Sequence, residues 1–318
     1  MNKEASNSTY VVETEALTKR FGERTVVRGV ALRVPRGSAF GYLGPNGAGK
    51  TTLIRMLLGL TPANSGSMRL LGHPVPAERA QALARVGAIV EEPRFHGHLT
   101  GRENLGIAAA ARDSAAAARI DASLERVGLT ARANDRVRTY SLGMRQRLGI
   151  ARCLIADPEL LILDEPMNGL DPAGILEFRH LIRDLVGEGR TVLLSSHLLD
   201  EVEKTCDLAA IVDLGEVVAQ GPIHELVAGG PRAIDIVCHS PVEAATLLAA
   251  VPGVTRASDH EGALRVTLSP EAPVDREIVT ALLRRLLDHG VDVERVAPVR
   301  STLEERFLTM TTRLEDRS

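Results

Sequence analysis

The stretch that decides the fold reads Gly44-Pro45-Asn46-Gly47-Ala48-Gly49-Lys50-Thr51. It fits the pattern G-x-x-x-x-G-K-[ST], in which glycines let the backbone curl until successive N–H groups point at bound phosphates. The apolar run 39–43 before it predicts a buried strand, and the helical spacing of apolar residues over 52–60 predicts a helix. Because the motif requires a strand, a loop and a helix in this order, the stretch predicts a phosphate-binding loop and not an ordinary glycine-rich turn.

The loop and the first turn of the helix supply the expected nucleotide-binding residues. We expect Lys50 to reach the β- and γ-phosphates and the Thr51 hydroxyl to bind Mg²⁺. The helix N-terminus adds a partial positive charge. The predicted nucleotide-binding set is therefore Gly44, Pro45, Asn46, Gly47, Ala48, Gly49, Lys50, Thr51 and Thr52.

A second apolar run, Leu160–Leu163, ends in Asp164 and Glu165. Such a run is typical of a parallel strand that is buried on both faces, and ligands bind at the carboxyl ends of such strands. We expect Asp164 to bind Mg²⁺ through water and Glu165 to orient or deprotonate the attacking water. The alternative is a charged strand end in solvent, which the phosphate loop upstream disfavours.

Two further residues are candidates for contacts with the nucleotide because of their positions in the chain. His197 follows the predicted strand Thr191–Ser195, where it would hydrogen-bond a γ-phosphate, and a purely structural histidine is the alternative. Phe21 lies in a polar turn within 10–34, a segment that predicts antiparallel strands. An aromatic ring there would stack on adenine, and the alternative is a core Phe at a strand end.

The chain divides into a long and a short part. Residues from about 99 to 157 are predicted to be mainly helical, with Ser141 as the N-cap of one helix. The break at Gly229-Gly230-Pro231 predicts a domain boundary, and the segment after it predicts a small β-α-β-β-α-β unit. Because that unit contains no phosphate loop, metal cluster or nucleophile pattern, we expect it to be regulatory or structural.

Composition narrows the class of protein. The 318 residues carry a net charge of −3 and only 3% aromatic residues, so neither a basic footprint nor a stacking platform for nucleic acid is expected. Three isolated cysteines fit a reducing compartment. Residues 1–9 lack the apolar core of a signal peptide, and no stretch reaches the roughly 18 apolar residues of a membrane span. We expect the chain not to cross a bilayer on its own.

Together these motifs resemble those of the ATPase subunit of an ABC transporter over about residues 10–228. Gly44–Thr51 resembles Walker A, and Leu160–Glu165 resembles Walker B with its catalytic glutamate. Tyr140-Ser141-Leu142-Gly143-Met144 is similar to the Leu-Ser-Gly-Gly-Gln signature and keeps the Ser and the second Gly. The segment 168–171 corresponds to the D-loop, and His197 to the switch histidine.

The resemblance implies an α/β fold, a P-loop NTPase core with an antiparallel β subdomain and a helical subdomain. The expected domains are an ATPase domain, 1–228, with its helical subdomain at about 99–157, and a small α+β accessory domain, 231–318. Glu91 departs from the family pattern, because it stands where a glutamine is usual. A carboxylate there still accepts a metal or water contact but donates no hydrogen bond. Three features together, Glu91, the Ser-Leu-Gly-Met signature and the segment Thr302–Phe307, make the chain resemble the antibiotic-resistance exporters of the ABC-2 type.

The family implies ATP and Mg²⁺ as ligands and a homodimer that encloses two ATP molecules. The nucleotide bound by one chain would be contacted by that chain's own Lys50, Asp164, Glu165 and His197. Ser141 and Gly143 would instead contact the nucleotide bound by the other copy. The expected function is the ATP-hydrolysing motor of an exporter, with a separate multi-span permease that holds it at the inner, cytoplasmic face of the cell membrane. The alternatives are a soluble ABC assembly or translation factor, and a nucleotide sensor without turnover.

Overall fold

A computed structural model describes residues 9–112, 115–228, 232–260, 263–269, 276–299 and 302–315. The chain forms two compact units, Met1–Ile223 and His224–Ser318. The predicted break at Gly229-Gly230-Pro231 lies outside the described residues. The division into 1–228 and 231–318 therefore stays a prediction.

The first unit contains two sheets and most of the helices. Its strands are β1 (Tyr10–Phe21), β2 (Arg24–Pro35), β3 (Ala39–Leu43), β4 (Ser65–Leu70), β5 (His73–Pro74), β6 (Val86–Ile89), β7 (Leu160–Asp164), β8 (Thr191–Ser196), β9 (Leu208–Asp213) and β10 (Glu216–Pro222). Its helices are α1 (Lys50–Leu57), α2 (Arg79–Leu83), α3 (Gly101–Ala110), α4 (Ile120–Arg126), α5 (Leu142–Leu154), α6 (Pro172–Gly187) and α7 (Leu199–Thr205). Helix α8 (Ile223–Ala228) begins at the last residue of the unit.

The larger sheet positions the site. Its strand order is β10-β9-β3-β8-β7-β6, and β9, β3, β8, β7 and β6 are parallel while β10 pairs antiparallel with β9. Every residue of β3, β7 and β8 is buried. This explains the near-continuous apolar sequences of β3 and β7, because a central parallel strand has no solvent face. The carboxyl ends of β3, β7 and β8 therefore lie side by side.

The smaller sheet of the first unit is antiparallel, with the order β2-β1-β4-β5. Strands β1 and β2 form the antiparallel pair that the alternation over 10–34 predicts. Their inward residues, among them Val12, Leu17 and Leu32, join one hydrophobic core with residues of β3 and α1. This shared core fixes the phosphate loop against β2.

The segment from Leu99 to Asp157 is mainly helical, as predicted. Thr100 and Glu103 form a capping box at the start of α3, since each side chain accepts a hydrogen bond from the backbone N–H of the other. Ser141 caps α5 by accepting a hydrogen bond from the Met144 N–H at 3.2 Å. The predicted N-cap is confirmed.

The second unit has its own core. Its elements are β11 (Ala233–Cys238), α9 (Pro241–Leu248), β12 (Val254–His260), β13 (Ala263–Leu268), α10 (Arg276–Leu287), β14 (Val293–Val299) and α11 (Leu303–Glu315). The antiparallel sheet order β12-β13-β11-β14 gives the β-α-β-β-α-β unit that the sequence predicts. Residues from β11, β13, α9 and α10 pack together, including Ile234, Leu264, Leu248 and Leu282. None of the helices in the described parts of either unit has the length and apolarity of a membrane span.

Candidate functional site

The phosphate loop joins the end of β3 to the start of α1, and two of its glycines are required by close backbone contacts. Gly49 has φ 94°, and a Cβ there would lie 2.5 Å from the Val26 carbonyl oxygen of β2. A Cβ at Gly44 would collide with the Val212 carbonyl oxygen. The loop is therefore held closely between β2 and β9.

Lys50, the first residue of α1, is buried with 6% of its surface exposed. Its Nζ donates hydrogen bonds to the carbonyl oxygens of Gly44 at 2.7 Å and Pro45 at 3.1 Å. The same Nζ lies 3.1 Å from Glu165 Oε1. The loop thus holds the Lys50 ammonium group beside the carboxylate that follows β7.

Glu165 links the lysine to the predicted histidine. Its second oxygen, Oε2, lies 2.9 Å from His197 Nδ1. The residue has φ 47°, a left-handed backbone conformation that is uncommon for residues other than glycine. The structure therefore brings Lys50, Glu165 and His197 into one connected group.

Asp164, the last residue of β7, is buried and lies opposite Ser195 of β8. The Ser195 hydroxyl donates a hydrogen bond to Asp164 Oδ1 at 2.6 Å and accepts one from the Glu165 N–H at 3.0 Å. Ser195 is not among the residues that the sequence motifs predict for the site. Its position at the end of the strand next to the two acids was the available signal.

Two cavities meet at this edge of the sheet. One of about 360 Å³ is lined by Arg24, Val26, Asn46, Gly47, Gly49, Lys50, Thr51, Thr52, Glu165 and Asn168. Another of about 480 Å³ is lined by Thr51, Glu91, Glu92, Leu142, Gln146, Asp164, Glu165, Asn168 and Gly169. Three residues line both cavities: Thr51, Glu165 and Asn168. Sequence reasoning did not find Arg24, Val26, Glu92 or Gln146.

The second cavity contains the three residues predicted to bind metal, Thr51, Glu91 and Asp164. A hydroxyl and two carboxylates are the hard oxygen donors that Mg²⁺ prefers. Among the described residues, no group of three or more His, Cys, Asp or Glu side chains forms a complete metal cage. An incomplete protein set fits Mg²⁺, which usually keeps waters and also binds substrate phosphates.

Glu91 has a basic partner of its own. Its carboxylate forms an ion pair with Arg55, which lies one helical turn after Thr51 in α1. The side chain is 60% exposed, and its backbone has φ 62°. Glu91 therefore lines the second cavity in an ion pair that a glutamine would not form.

Seven of the predicted residues line neither cavity: Phe21, Gly44, Pro45, Ala48, Ser141, Gly143 and His197. Phe21 is 53% exposed, and the Lys19 ammonium lies 4.9 Å from the centre of its ring. Ser141 and Gly143 lie at the start of α5, from which Leu142 and Gln146 line the second cavity. Adenine stacking by Phe21 and nucleotide contacts by Ser141 and Gly143 remain predictions.

A phosphate loop on a parallel sheet, with an acidic pair and a histidine on adjoining strand ends, defines a P-loop ATPase. The chain belongs to the family of ABC transporter ATP-binding proteins. The ABC transporter family model matches residues 27–168. The chain is 38% identical over 299 residues to the bacitracin transport ATP-binding protein BcrA of Enterococcus faecalis, covering 94% of this chain and 95% of that protein.

Two further comparisons agree. The daunorubicin resistance ATP-binding protein DrrA3 of Streptomyces coeruleorubidus is 39% identical over 307 residues, which are 94% of this chain and 95% of the relative. The solved structure of CbiO1 from Clostridium perfringens, part of the ABC transporter complex CbiONQ, matches with TM-score 0.65 and 26% identity over 70% of this chain and 92% of the other. The predicted fold class and ATPase activity are confirmed. Subunits of this kind dimerise and work with a membrane permease.

Proposed function

We propose that the chain is the motor subunit of an ABC exporter, which converts ATP hydrolysis into movement of a separate multi-span permease. The observation that carries the proposal is the contact of Glu165 with both Lys50 and His197 beside the phosphate-loop cavity. A carboxylate in this position serves hydrolysis, since simple nucleotide binding needs only the loop and its lysine.

The loop residues bind the triphosphate. The N–H groups of the loop and of Thr52 surround the α- and β-phosphates, and Lys50 moves from Glu165 to the β- and γ-phosphates. Thr51, Asp164 and Glu91 would hold Mg²⁺, directly or through water. The ion would neutralise charge on the β- and γ-phosphate oxygens during transfer.

Glu165 and His197 act on the water and the γ-phosphate. Glu165 accepts a proton as the water oxygen bonds to the γ-phosphorus, and the bond from that phosphorus to the β-phosphate oxygen breaks. General-base help of this kind typically contributes about 10²–10⁴-fold to the rate. His197 hydrogen-bonds the γ-phosphate, and its contact with Glu165 at 2.9 Å holds the two side chains together.

The remaining predicted residues support a homodimer. Ser141 and Gly143 lie together at the start of α5, and the likeness to the ABC signature assigns them to the nucleotide of a second copy. Phe21 stacks on adenine from the last position of β1, with the Lys19 ammonium beside its ring. Two copies arranged head to tail would complete two ATP sites.

The names of two relatives support a proposal for the cargo class. BcrA is named for bacitracin transport and DrrA3 for daunorubicin resistance, and each aligns over nearly the whole chain. We therefore propose drug or antibiotic efflux, with the subunit held at the inner face of the cell membrane by its permease.

The test is affinity capture of tagged Glu165→Gln from gently solubilised source membranes with Mg-ATP, followed by mass spectrometry. The matched control is Lys50→Ala, which loses the phosphate-binding charge. A multi-span membrane protein recovered in near-equal amount, with ATPase activity lost in both variants, is the expected result. Recovery of soluble partners alone, with the chain absent from membranes, would contradict the motor function and favour a soluble assembly factor.

A further inference from the structure

We infer that Arg24 is a nucleotide-binding residue that contacts the α-phosphate. This inference rests on the proposed function, since it assumes that the phosphate-loop cavity binds ATP. Arg24 lies outside the phosphate loop, at the first position of β2. It is one of the residues that line the cavity of about 360 Å³ together with Asn46, Gly47 and Lys50.

Strand β2 sets the position of Arg24 along the nucleotide. At Val26 the strand touches the loop, because the Val26 carbonyl oxygen lies 2.5 Å from where a Gly49 Cβ would be. Arg24 is two residues earlier, and both residues line the cavity, as expected for positions i and i+2 of one strand. In the antiparallel pair of β1 and β2, Arg24 is directly opposite Phe21.

This order places Arg24 between the two ends of a bound nucleotide. One end is the phosphate loop at Gly49 and the other is Phe21, the predicted adenine-stacking residue. The ribose and the α-phosphate connect adenine to the β- and γ-phosphates, so they must pass the position that Arg24 occupies. The α-phosphate is the charged group of that connection.

The charges of the cavity favour the same contact. Its charged lining residues are Arg24, Lys50 and Glu165, and the last two neutralise each other at 3.1 Å. Within the described part of the chain, the guanidinium of Arg24 forms no ion pair or side-chain hydrogen bond. Arg24 therefore supplies the net positive charge of the cavity, and its planar fork of donors suits a phosphate.

The experiment is calorimetric titration of the full chain with Mg-ADP and with a non-hydrolysable ATP analogue, for wild type, Arg24→Ala and Arg24→Lys. The matched control is Arg28→Ala, which removes the same charge from an exposed position of β2 that lines neither cavity. Circular dichroism before and after heating checks that each variant is folded.

We expect Arg24→Ala to lower the affinity for both nucleotides by about tenfold. This is the low end of the range for a charge-assisted hydrogen bond, because the cavity is open to solvent. The loss of affinity should be smaller for Arg24→Lys, and Arg28→Ala should change the affinity by less than about twofold. Equal losses for the two nucleotides are expected because both carry the α-phosphate.

Two results would overturn the inference. One is an Arg24→Ala affinity within about twofold of wild type for both nucleotides. The other is a loss confined to the ATP analogue, which would place the contact at the γ-phosphate. Failure of the part of the proposed function on which the inference rests, nucleotide binding in this cavity, looks different, because the wild-type chain itself would then bind neither nucleotide.

Discussion

The Ser195 hydroxyl connects the two acids of the site, donating to Asp164 Oδ1 at 2.6 Å and accepting from the Glu165 N–H at 3.0 Å. The residue is fully buried, so no bulk water replaces it. One hydroxyl thereby fixes both the carboxylate proposed to bind metal and the backbone that orients the proposed base.

Ser195→Ala should lower the free energy of unfolding by about 1–3 kcal/mol, since it leaves a buried carboxylate oxygen and a backbone N–H without their partner. Urea denaturation measures this loss. Steady-state phosphate release should fall as well, because Asp164 and Glu165 are no longer held. Ser38→Ala is the matched control, as its hydroxyl donates to the Pro35 carbonyl at 2.8 Å and lines neither cavity. Equal activity in the two variants would argue against a role for Ser195 in the site.

Two glycines of the phosphate loop should respond differently to the same change. Both have positive φ, but a Cβ at Gly47 meets open space whereas one at Gly49 would lie 2.5 Å from the Val26 carbonyl oxygen. Gly47→Ala should cost about 1 kcal/mol of stability, from backbone strain. Gly49→Ala should cost more and reduce nucleotide affinity, because loop and strand must separate. Thermal unfolding and ADP titration measure the stability and the nucleotide affinity of the two variants. Similar losses in both variants would count against the close contact between Gly49 and Val26.

The ion pair of Arg55 with Glu91 should tune binding of the proposed metal. Arg55→Met frees the Glu91 carboxylate, so we expect Mg²⁺ to promote ADP binding at a concentration up to about fivefold lower, the scale of an exposed ion pair. In a Glu91→Gln background the same change should have no such effect. Calorimetry at several Mg²⁺ concentrations completes the double-mutant cycle. An identical shift in both backgrounds would mean that Arg55 acts independently of Glu91.

The cysteines predict a pH dependence of thiol reactivity and stability. Burial raises the pKa of the Cys153 thiol to about 11 and also raises the pKa of Cys206, while Cys238 is partly exposed. A thiol reagent at pH 8 should therefore label Cys238 alone in the native chain and all three cysteines after denaturation.

The stability effect has a definite direction. Below pH 9 both folded and unfolded Cys153 thiols are neutral, and above it the unfolded chain loses the proton first. Its contribution to stability is therefore complete below pH 9 and lost as pH rises toward 11. Cys153→Ala should show a smaller loss of stability across that window in urea denaturation. An unchanged loss would assign the alkaline sensitivity to other groups.

Sequence patterns predicted the parts of the site that depend on local order. The phosphate loop, the buried strand before Asp164 and the cap at Ser141 each follow from neighbouring residues in the chain. The parallel character of the six-stranded sheet was predicted, since continuous apolar runs indicate buried parallel strands. Short helices such as α2 and α7 were not predicted, because five or seven residues carry little periodicity.

The missed residues depend on register between distant segments. Ser195 meets Asp164 only because β7 and β8 pair in one particular alignment. Arg24 reaches the cavity because β2 crosses the loop at Gly49, and nothing local in the sequence around Arg24 indicates a ligand. The Arg55–Glu91 pair joins α1 to the residues after β6, and such pairings are not visible in a single sequence.

The contact of Lys50 with Glu165 at 3.1 Å also affects how the Glu165→Gln variant is interpreted. ATP must take the lysine away from the glutamate, so part of the binding free energy is used to separate that pair. Glu165→Gln removes the competitor together with the proposed base. Its complex with ATP is thus expected to persist for two independent reasons, slower hydrolysis and stronger intrinsic binding, and its affinity is an upper limit for that of the native chain.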